Sequence, residues 1–224
     1  HPVQVVCAGR TDTGVHATGQ VVHFDTDAER KLKAWVMGVN THLPDDICVH
    51  WSKQVDAGFS ARFSANMRSY RYVIQQRAAR PALYSHRVTW VYDDLNTRAM
   101  HEAAQALLGE NDFSAFRSSA CQAEHAMRFI KSIEISAESS FVYIDIQANA
   151  FLHHMVRNIV GSLLKVGTGE QPVAWMAELL ALKDRTRAGP TAPAQGLYLV
   201  AVQYPPEYDL PVSGMVPCFG GRQS

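Results

Sequence analysis

Arg10, Asp12 and His16 fall together within residues 9–19, a stretch punctuated by Gly9, Gly14 and Gly19. Val-rich runs on both sides read as two strands, which makes the stretch their connection. Hairpin connections are usually two to about five residues long, so one of roughly ten that carries a carboxylate, a guanidinium and an imidazole points to chemistry. Glycine reaches backbone angles that other residues avoid, and a glycine-spaced loop can fold tightly around one projecting side chain. Asp12 is the candidate for that side chain. Asp-Thr-Gly in isolation also starts ordinary turns, so the assignment depends on the residues around it.

A second cluster lies at 150–166. Phe151, Leu152, Met155, Val156, Ile159, Val160, Leu163 and Leu164 make a wide apolar face at helical spacing, while His154, Arg157, Asn158, Gly161 and Lys165 share the opposite arc. That arc holds no acid, which leaves Arg157 able to pair with a carboxylate elsewhere; an ordinary solvent-facing helix reads the same way. Residues 57–92 form a third cluster. They contain no Asp or Glu, yet Arg62, Arg68, Arg71, Arg77, Arg80 and Arg87 fall inside, interleaved with Phe59, Phe63, Tyr70, Tyr72 and Tyr84. Arginine holds phosphate and aromatic faces hold unstacked bases, a combination that suits RNA, although a solvated strand face has the same composition.

These residues carry a resemblance. Gly9-Arg10-Thr11-Asp12-Thr13-Gly14-Val15-His16-Ala17, followed by Gln20-Val21-Val22-His23-Phe24, resembles the signature of the TruA family of tRNA pseudouridine synthases. The likeness continues through Phe59-Ser60-Ala61-Arg62-Phe63, Tyr70-Arg71-Tyr72, the run from Asn149 to Gly161, and Gly196-Leu197-Tyr198-Leu199. It implies an isomerase that converts uridine to pseudouridine in the anticodon stem-loop of tRNA, working without cofactor, as a cytoplasmic homodimer. It further implies Asp12 as the catalytic aspartate and Arg10 as the side chain that displaces the target base. Tyr70 would stack on the flipped uracil, Arg157 would pair with Asp12, and Leu197 would lie near the base. Arg30, Phe59, Ser60, Ala61, Arg62, Phe63 and Arg68 are the expected RNA contacts, with the loop 120–124 beside them.

The elements that must position these residues follow from periodicity. Paired strands are predicted over 3–8 and 20–26, a helix over 28–39 and a strand over 47–55. After a loop at Gly58 come a strand over 67–75, with Tyr70, Tyr72 and Ile74 on one face, and a short addition over 88–92. A helix capped by Asn96 or Thr97 ends at Gly109, and a long polar loop covers 110–126. A hairpin over 127–136 and 141–148, helices over 150–166 and 172–182, and a strand over 197–204 complete the chain. Strand, helix, strand, strand, helix, strand is the split order of a ferredoxin-like unit. The first part has the same order without its opening strand and helix. The expectation is therefore an α+β fold of two ferredoxin-like units with mainly antiparallel sheets and the site in a cleft between them. Residues 1–60 form a shortened N-terminal unit, 61–212 the C-terminal unit and 213–224 a loose tail.

Composition narrows the function classes. A chain of 224 residues, 47% of them apolar, can bury a core. No apolar run approaches the eighteen or so residues of a membrane span, and nothing reads as a secretion signal, so a soluble intracellular protein is expected. Cys7, Cys48, Cys121 and Cys218 are scattered without a Cys-x-x-Cys pair. On a helix His153 and His154 would point about a hundred degrees apart, so no metal site is expected. The zero formal charge argues weakly against a nucleic-acid partner, but the charge distribution outweighs the sum. Two rivals remain: a non-catalytic RNA-binding fragment, and an aspartic-protease-like hydrolase, which needs a second carboxylate sharing a proton with the first.

Overall fold

The structure is a computed structural model that describes residues 3–211 and 214–220. The first Val-rich runs form β1 (Val6–Cys7), β2 (His16–Ala17) and β3 (Val22–His23). β1 and β3 pair antiparallel, as expected but over a shorter length, whereas β2 leaves them and joins a different sheet. α1 (Leu32–Asn40) follows, with none of its residues buried. The strand expected over 47–55 does not form. Val49 donates its N–H to Asn40 Oδ1 at 2.7 Å and accepts from Asn40 Nδ2 at 2.8 Å, so one side chain takes both backbone groups that a ladder would use.

The main body runs β4 (Met67–Gln76), β5 (Thr89–Val91), α2 (Thr97–Ala104), β6 (Gly109–Asp112), β7 (Met127–Glu138), β8 (Phe141–Ala148), α3 (Met155–Gly167), α4 (Trp175–Leu182) and β9 (Leu197–Gln203). In space the strands follow the order β2-β9-β4-β8-β7-β6, with β5 beside β4. The long pairings are antiparallel; the short β2–β9 and β4–β5 pairs are parallel. The fold is mixed α/β with antiparallel pairing dominant.

Alternation along β4 sends Tyr70, Tyr72 and Ile74 to one face, where they meet Met100 of α2, Ile159 and Leu163 of α3, and Leu179 of α4. Val73 goes to the other face and packs with Phe141, Tyr143, Tyr198 and Val200. That face also receives Phe219 from the segment 214–220, whose Pro217 carbonyl accepts from Arg71 Nη1 at 3.0 Å. The rest of the expected tail, residues 213 and 221–224, lies outside the described residues. Among the described residues no helix is long and apolar enough to cross a membrane.

Two further boundaries differ from expectation. Asn96 does cap α2, its Oδ1 accepting from Ala99 N at 3.0 Å, but Gly109, with φ 84°, opens β6 instead of ending the helix. Polar Glu110, Asn111 and Asp112 thus form an edge strand on β7, where solvent on one side suits their side chains. α3 begins at Met155, five residues late, because Asn149 Oδ1 accepts from Ala150 N and Phe129 N and His154 adopts a left-handed φ of 61°.

α3 also differs in its surroundings, being covered on its polar arc. Asn158 and Ser162 are fully buried under residues 185–192. At Gly161 the two backbones nearly touch, since a Cβ there would lie 1.7 Å from Pro190 O. Gly161→Ala must push this segment off the helix, and the expected cost is about 1–3 kcal/mol, the range for overpacking a tight site. Gly38 of α1 has open space around it. Gly38→Ala should therefore stabilise by up to about 1 kcal/mol through helix propensity. Thermal melts of both variants test the pair; a Gly161→Ala midpoint equal to that of the unmodified chain would refute the close approach.

Candidate active site

Asp12 projects from a loop whose neck is closed by its own residues. Ala8 donates its N–H to Val21 O at 2.8 Å, and the Gln20 amide spans Gly9, donating to Gly9 O at 2.7 Å and accepting from Gly9 N at 3.4 Å. Past the turn, β2 lies parallel to β9 with His16 opposite Tyr198, and Thr18 and Gly19 both donate to Leu199 O. A Cβ on Gly19 would stand 2.2 Å from Val200 O, so this seam needs glycine for proximity, while Gly14 needs it for its φ of 84°. Gly9 and Gly19 keep ordinary backbone angles; only Gly14 has the turning role expected of all three. His16 does not face Asp12. Its ring stacks on Tyr198 at 4.8 Å with Nε2 2.8 Å from His86 O, and burial lowers its pKa, which makes it a pin for β2.

Arg157, on the first turn of α3, donates from Nη1 to Asp12 Oδ2 at 3.0 Å. Its Nε donates to Ala192 O at 2.8 Å, and Ala192 N–H returns a bond to Arg157 O at 3.1 Å. The 189–192 segment is tied down in turn. Asn158 Oδ1 accepts from Thr191 Oγ1 at 2.7 Å and from Arg185 Nη2 at 3.0 Å, while Arg185 Nη1 donates to Gly189 O at 2.9 Å. The ion pair is therefore fixed at both ends, and it is partly shielded: the side chain of Arg157 is 15% exposed and that of Asp12 29%.

Two imidazoles complete the surroundings of the carboxylate. His153 Nε2 lies 3.4 Å from Asp12 Oδ1 and His154 Nε2 lies 3.2 Å from Oδ2. This overturns the expectation that the two rings diverge. Neither residue is inside the helix, and the left-handed backbone at His154 turns it to the same side as its neighbour, bringing the ring centroids to 3.9 Å. Burial holds the His154 pKa below its ordinary value, against the pull of Asp12. Beneath the loop lies Tyr70, 9% exposed, braced edge-on by Phe151 at 5.0 Å. A Cβ on Gly9 would sit 3.6 Å from the Tyr70 hydroxyl, so the loop neck passes close to the tip of that side chain. Leu197 is buried in the same core as Tyr70.

A family model described as tRNA pseudouridine synthase matches residues 103–205. The chain is 58% identical to the tRNA pseudouridine synthase A of Klebsiella pneumoniae (strain 342), over 97% of its own length and 81% of the relative's. It is 56% identical to the enzyme of that name from Photorhabdus laumondii, with 97% and 83% covered, and 56% to that of Shewanella sp. (strain ANA-3), with 97% and 84%. The chain belongs to the tRNA pseudouridine synthase A family.

Of the family's expected RNA contacts, several are otherwise engaged in this chain. Phe59 and Ala61 are core residues, packed with Ala8 and Val21, so the five-residue stretch offers outward only Ser60, Arg62 and Phe63. Phe63 is 81% exposed with the Arg62 guanidinium 5.3 Å from its ring. Arg68 is a structural tie: its guanidinium donates to Ala8 O, Arg62 O and Asn149 O, linking the loop neck to β4 and to the approach to α3. Arg71 is a second tie, held by two bonds to Asp145 at 2.7 and 2.6 Å. Arg10 and Arg30 are exposed, the latter 5.8 Å from the ring of Trp35. The sequence carried no usable signal for His153, Ala192 or Arg185, whose roles arise from a left-handed residue and from backbone contacts.

Burial pushes the Tyr70 phenol up to about 12, with Arg68 opposing and Asp12 adding to the rise. Burial raises Tyr72, Tyr198 and Tyr204 in the same sense. Above pH about 10 the unfolded phenols ionise while the folded ones stay protonated, so the unfolded state binds fewer protons and stability falls as pH rises. Tyr70 alone accounts for about 2–3 kcal/mol of that fall between pH about 10 and 12. Tyr70→Phe should make the loss shallower over that window in urea melts followed against pH. An unchanged slope would show that Tyr70 ionises as readily folded as unfolded.

Proposed function

We propose that this chain isomerises uridine to pseudouridine in the anticodon stem-loop of tRNA, with Asp12 as the catalytic carboxylate. The observation that carries the reading is the Asp12–Arg157 ion pair on a loop that is anchored to β9 and whose neck, at Gly9, passes close to the Tyr70 hydroxyl. The reaction breaks the bond from uracil N1 to C1′ of the ribose, turns the base and joins C5 to the same carbon; C5 loses a proton and N1 gains one. No electrons are exchanged with a cofactor. The target nucleotide must leave its stack, and Arg10, exposed beside Asp12, is the side chain assigned to displace it. Tyr70 and Leu197 form the apolar floor for the base. Arg157 holds the carboxylate in place beside the base, a task for which a planar cation with more than one donor is suited.

The wider arrangement belongs to the same proposal. β4-α2-β7-β8-α3-β9, with the spatial order β9-β4-β8-β7, follows the split ferredoxin-like plan and forms the C-terminal unit, 61–212. Residues 1–60 make the other unit, carry the catalytic loop and enclose the cleft. The working species is a homodimer, which sedimentation equilibrium tests directly.

Asp12→Asn should abolish tritium release from C5-labelled uridine in tRNA while leaving tRNA affinity nearly unchanged, because phosphate and stacking contacts lie elsewhere. Arg157→Ala should also lose turnover, and Arg157→Lys should recover only part, since an ammonium cannot hold Ala192 O and Asp12 together as the fork does. Normal turnover in Asp12→Asn would remove the loop from the active site.

tRNA binding should weaken with salt despite the zero net charge, through cations that face outward. Arg62→Ala should lower the slope of log affinity against log salt by about one. Arg71, spent on Asp145, serves as the comparison: Arg71→Ala should leave that slope alone. Equal effects of the two substitutions would place the interface elsewhere.

A further inference from the structure

We propose that Asp12, His153 and His154 form a binding site for a divalent transition-metal ion of the zinc class, and that the ion inhibits the enzyme by occupying the carboxylate. Inhibition rests on the function proposed above; binding does not. One oxygen of Asp12 and one ring nitrogen from each histidine all lie within 4.8 Å of one another. Two ligands about 2.1 Å from a tetrahedral ion stand roughly 3.4 Å apart. His153 Nε2 stands 3.4 Å from Oδ1 and His154 Nε2 3.2 Å from Oδ2, so each imidazole is already close to that spacing from one end of the carboxylate.

Backbone contacts prepare this geometry. His153 O accepts from Ser118 N at 3.1 Å, His153 N–H points at Cys121 Sγ 3.5 Å away, and His154 has φ 61°. Adjacent residues in a helix or strand would send their rings apart; the left-handed residue sends both to Asp12. The histidine side chains are 38% and 27% exposed, which leaves an approach from solvent. Arg157 donates to Oδ2, the oxygen nearer His154, and is itself anchored on Ala192 O, the kind of outer-shell bond that orients a ligating carboxylate. Two imidazoles and one carboxylate suit zinc, cobalt, nickel or copper, whereas magnesium and calcium call for oxygen-only sets. A neutral imidazole with its proton on Nε2 would carry it on Nδ1 instead, and an imidazolium would release one proton to water, so no oxidant or reductant enters.

Zinc titration calorimetry on the tRNA-free protein provides the test, with His153→Gln and His154→Asn as variants. Asn tolerates the left-handed backbone, so the second variant keeps the chain path while removing the imidazole. The unmodified chain should bind one zinc, and each variant should weaken binding by more than about tenfold, at least the loss that follows removal of an outer-shell partner. Cobalt in place of zinc should give the visible band of a low-coordinate nitrogen and oxygen site in the unmodified chain, a readout that needs no variant to fold. Zinc should also inhibit tritium release reversibly, with chelator restoring activity. Zinc affinity unchanged in both variants, or no cobalt band, overturns the site. An active enzyme indifferent to zinc at saturating concentration overturns the inhibition and leaves the isomerase reading; zinc binding at these residues in a chain without isomerase activity upholds the site and overturns that reading.

Discussion

The site depends on the reciprocal bonds between Arg157 and Ala192. Arg157 gives its Nε–H to Ala192 O and receives the Ala192 N–H on its own carbonyl, so one residue of α3 is tied through both main chain and side chain to the segment before β9. A guanidinium on a free helix surface samples many rotamers, and fixing it costs entropy of up to about 2 kcal/mol. Here the ordering is shared with the fold, because the same segment buries Asn158 and meets Gly161 backbone to backbone. With Nε fixed on Ala192 O, the position of Nη1 is set, and Asp12 Oδ2 meets it.

Asp12 reaches that point by an independent route. Its loop is zipped to β9 by β2 and by the two bonds to Leu199 O, while Arg157 is held by α3 and by residues just upstream of β9. Both halves of the ion pair are thus referred to β9, whose partner β4 carries Tyr70. The Arg68 fork adds a third reference by joining Ala8 at the loop neck to Asn149 ahead of α3. Asp12, Arg157 and the Tyr70 ring share one frame, although they come from distant positions in the chain.

Much of this was legible in the sequence where a single physical rule governs a local stretch. Alternation placed Tyr70, Tyr72 and Ile74 together, and an acid-free arc left Arg157 able to pair with a distant carboxylate, which the resemblance, not the periodicity, named as Asp12. The misses share a different cause. The stretch over 47–55 had suitable residues but the N–H and C=O of Val49 at its start were claimed by Asn40, and β6 has polar residues that qualify as strand only because β7 lies alongside. Arg68 and Arg71 looked like outward cations because composition cannot distinguish a guanidinium that meets phosphate from one that meets carbonyl oxygen or Asp145. His153 and His154 were misjudged because one dihedral, at His154, decides the direction of both rings.

That dihedral also bears on how the carboxylate is kept in place. A non-glycine residue in the left-handed region costs on the order of 1–2 kcal/mol, and it persists only where surrounding contacts over-determine it. Around His154 those contacts are identifiable: Ser118 on His153 O, Met155 N–H on Leu152 O, Asn158 N–H on His154 O, and the buried side chains of Leu152 and Met155 on either side. Relaxing the strain would rotate His154 away from Asp12 and leave Arg157 as the sole close donor to Oδ2. The strained residue therefore sits at the one place where the helix must begin late, so that two imidazoles and Arg157 of the first turn of α3, itself held by the Ala192 carbonyl, can all meet a carboxylate contributed by the other end of the chain.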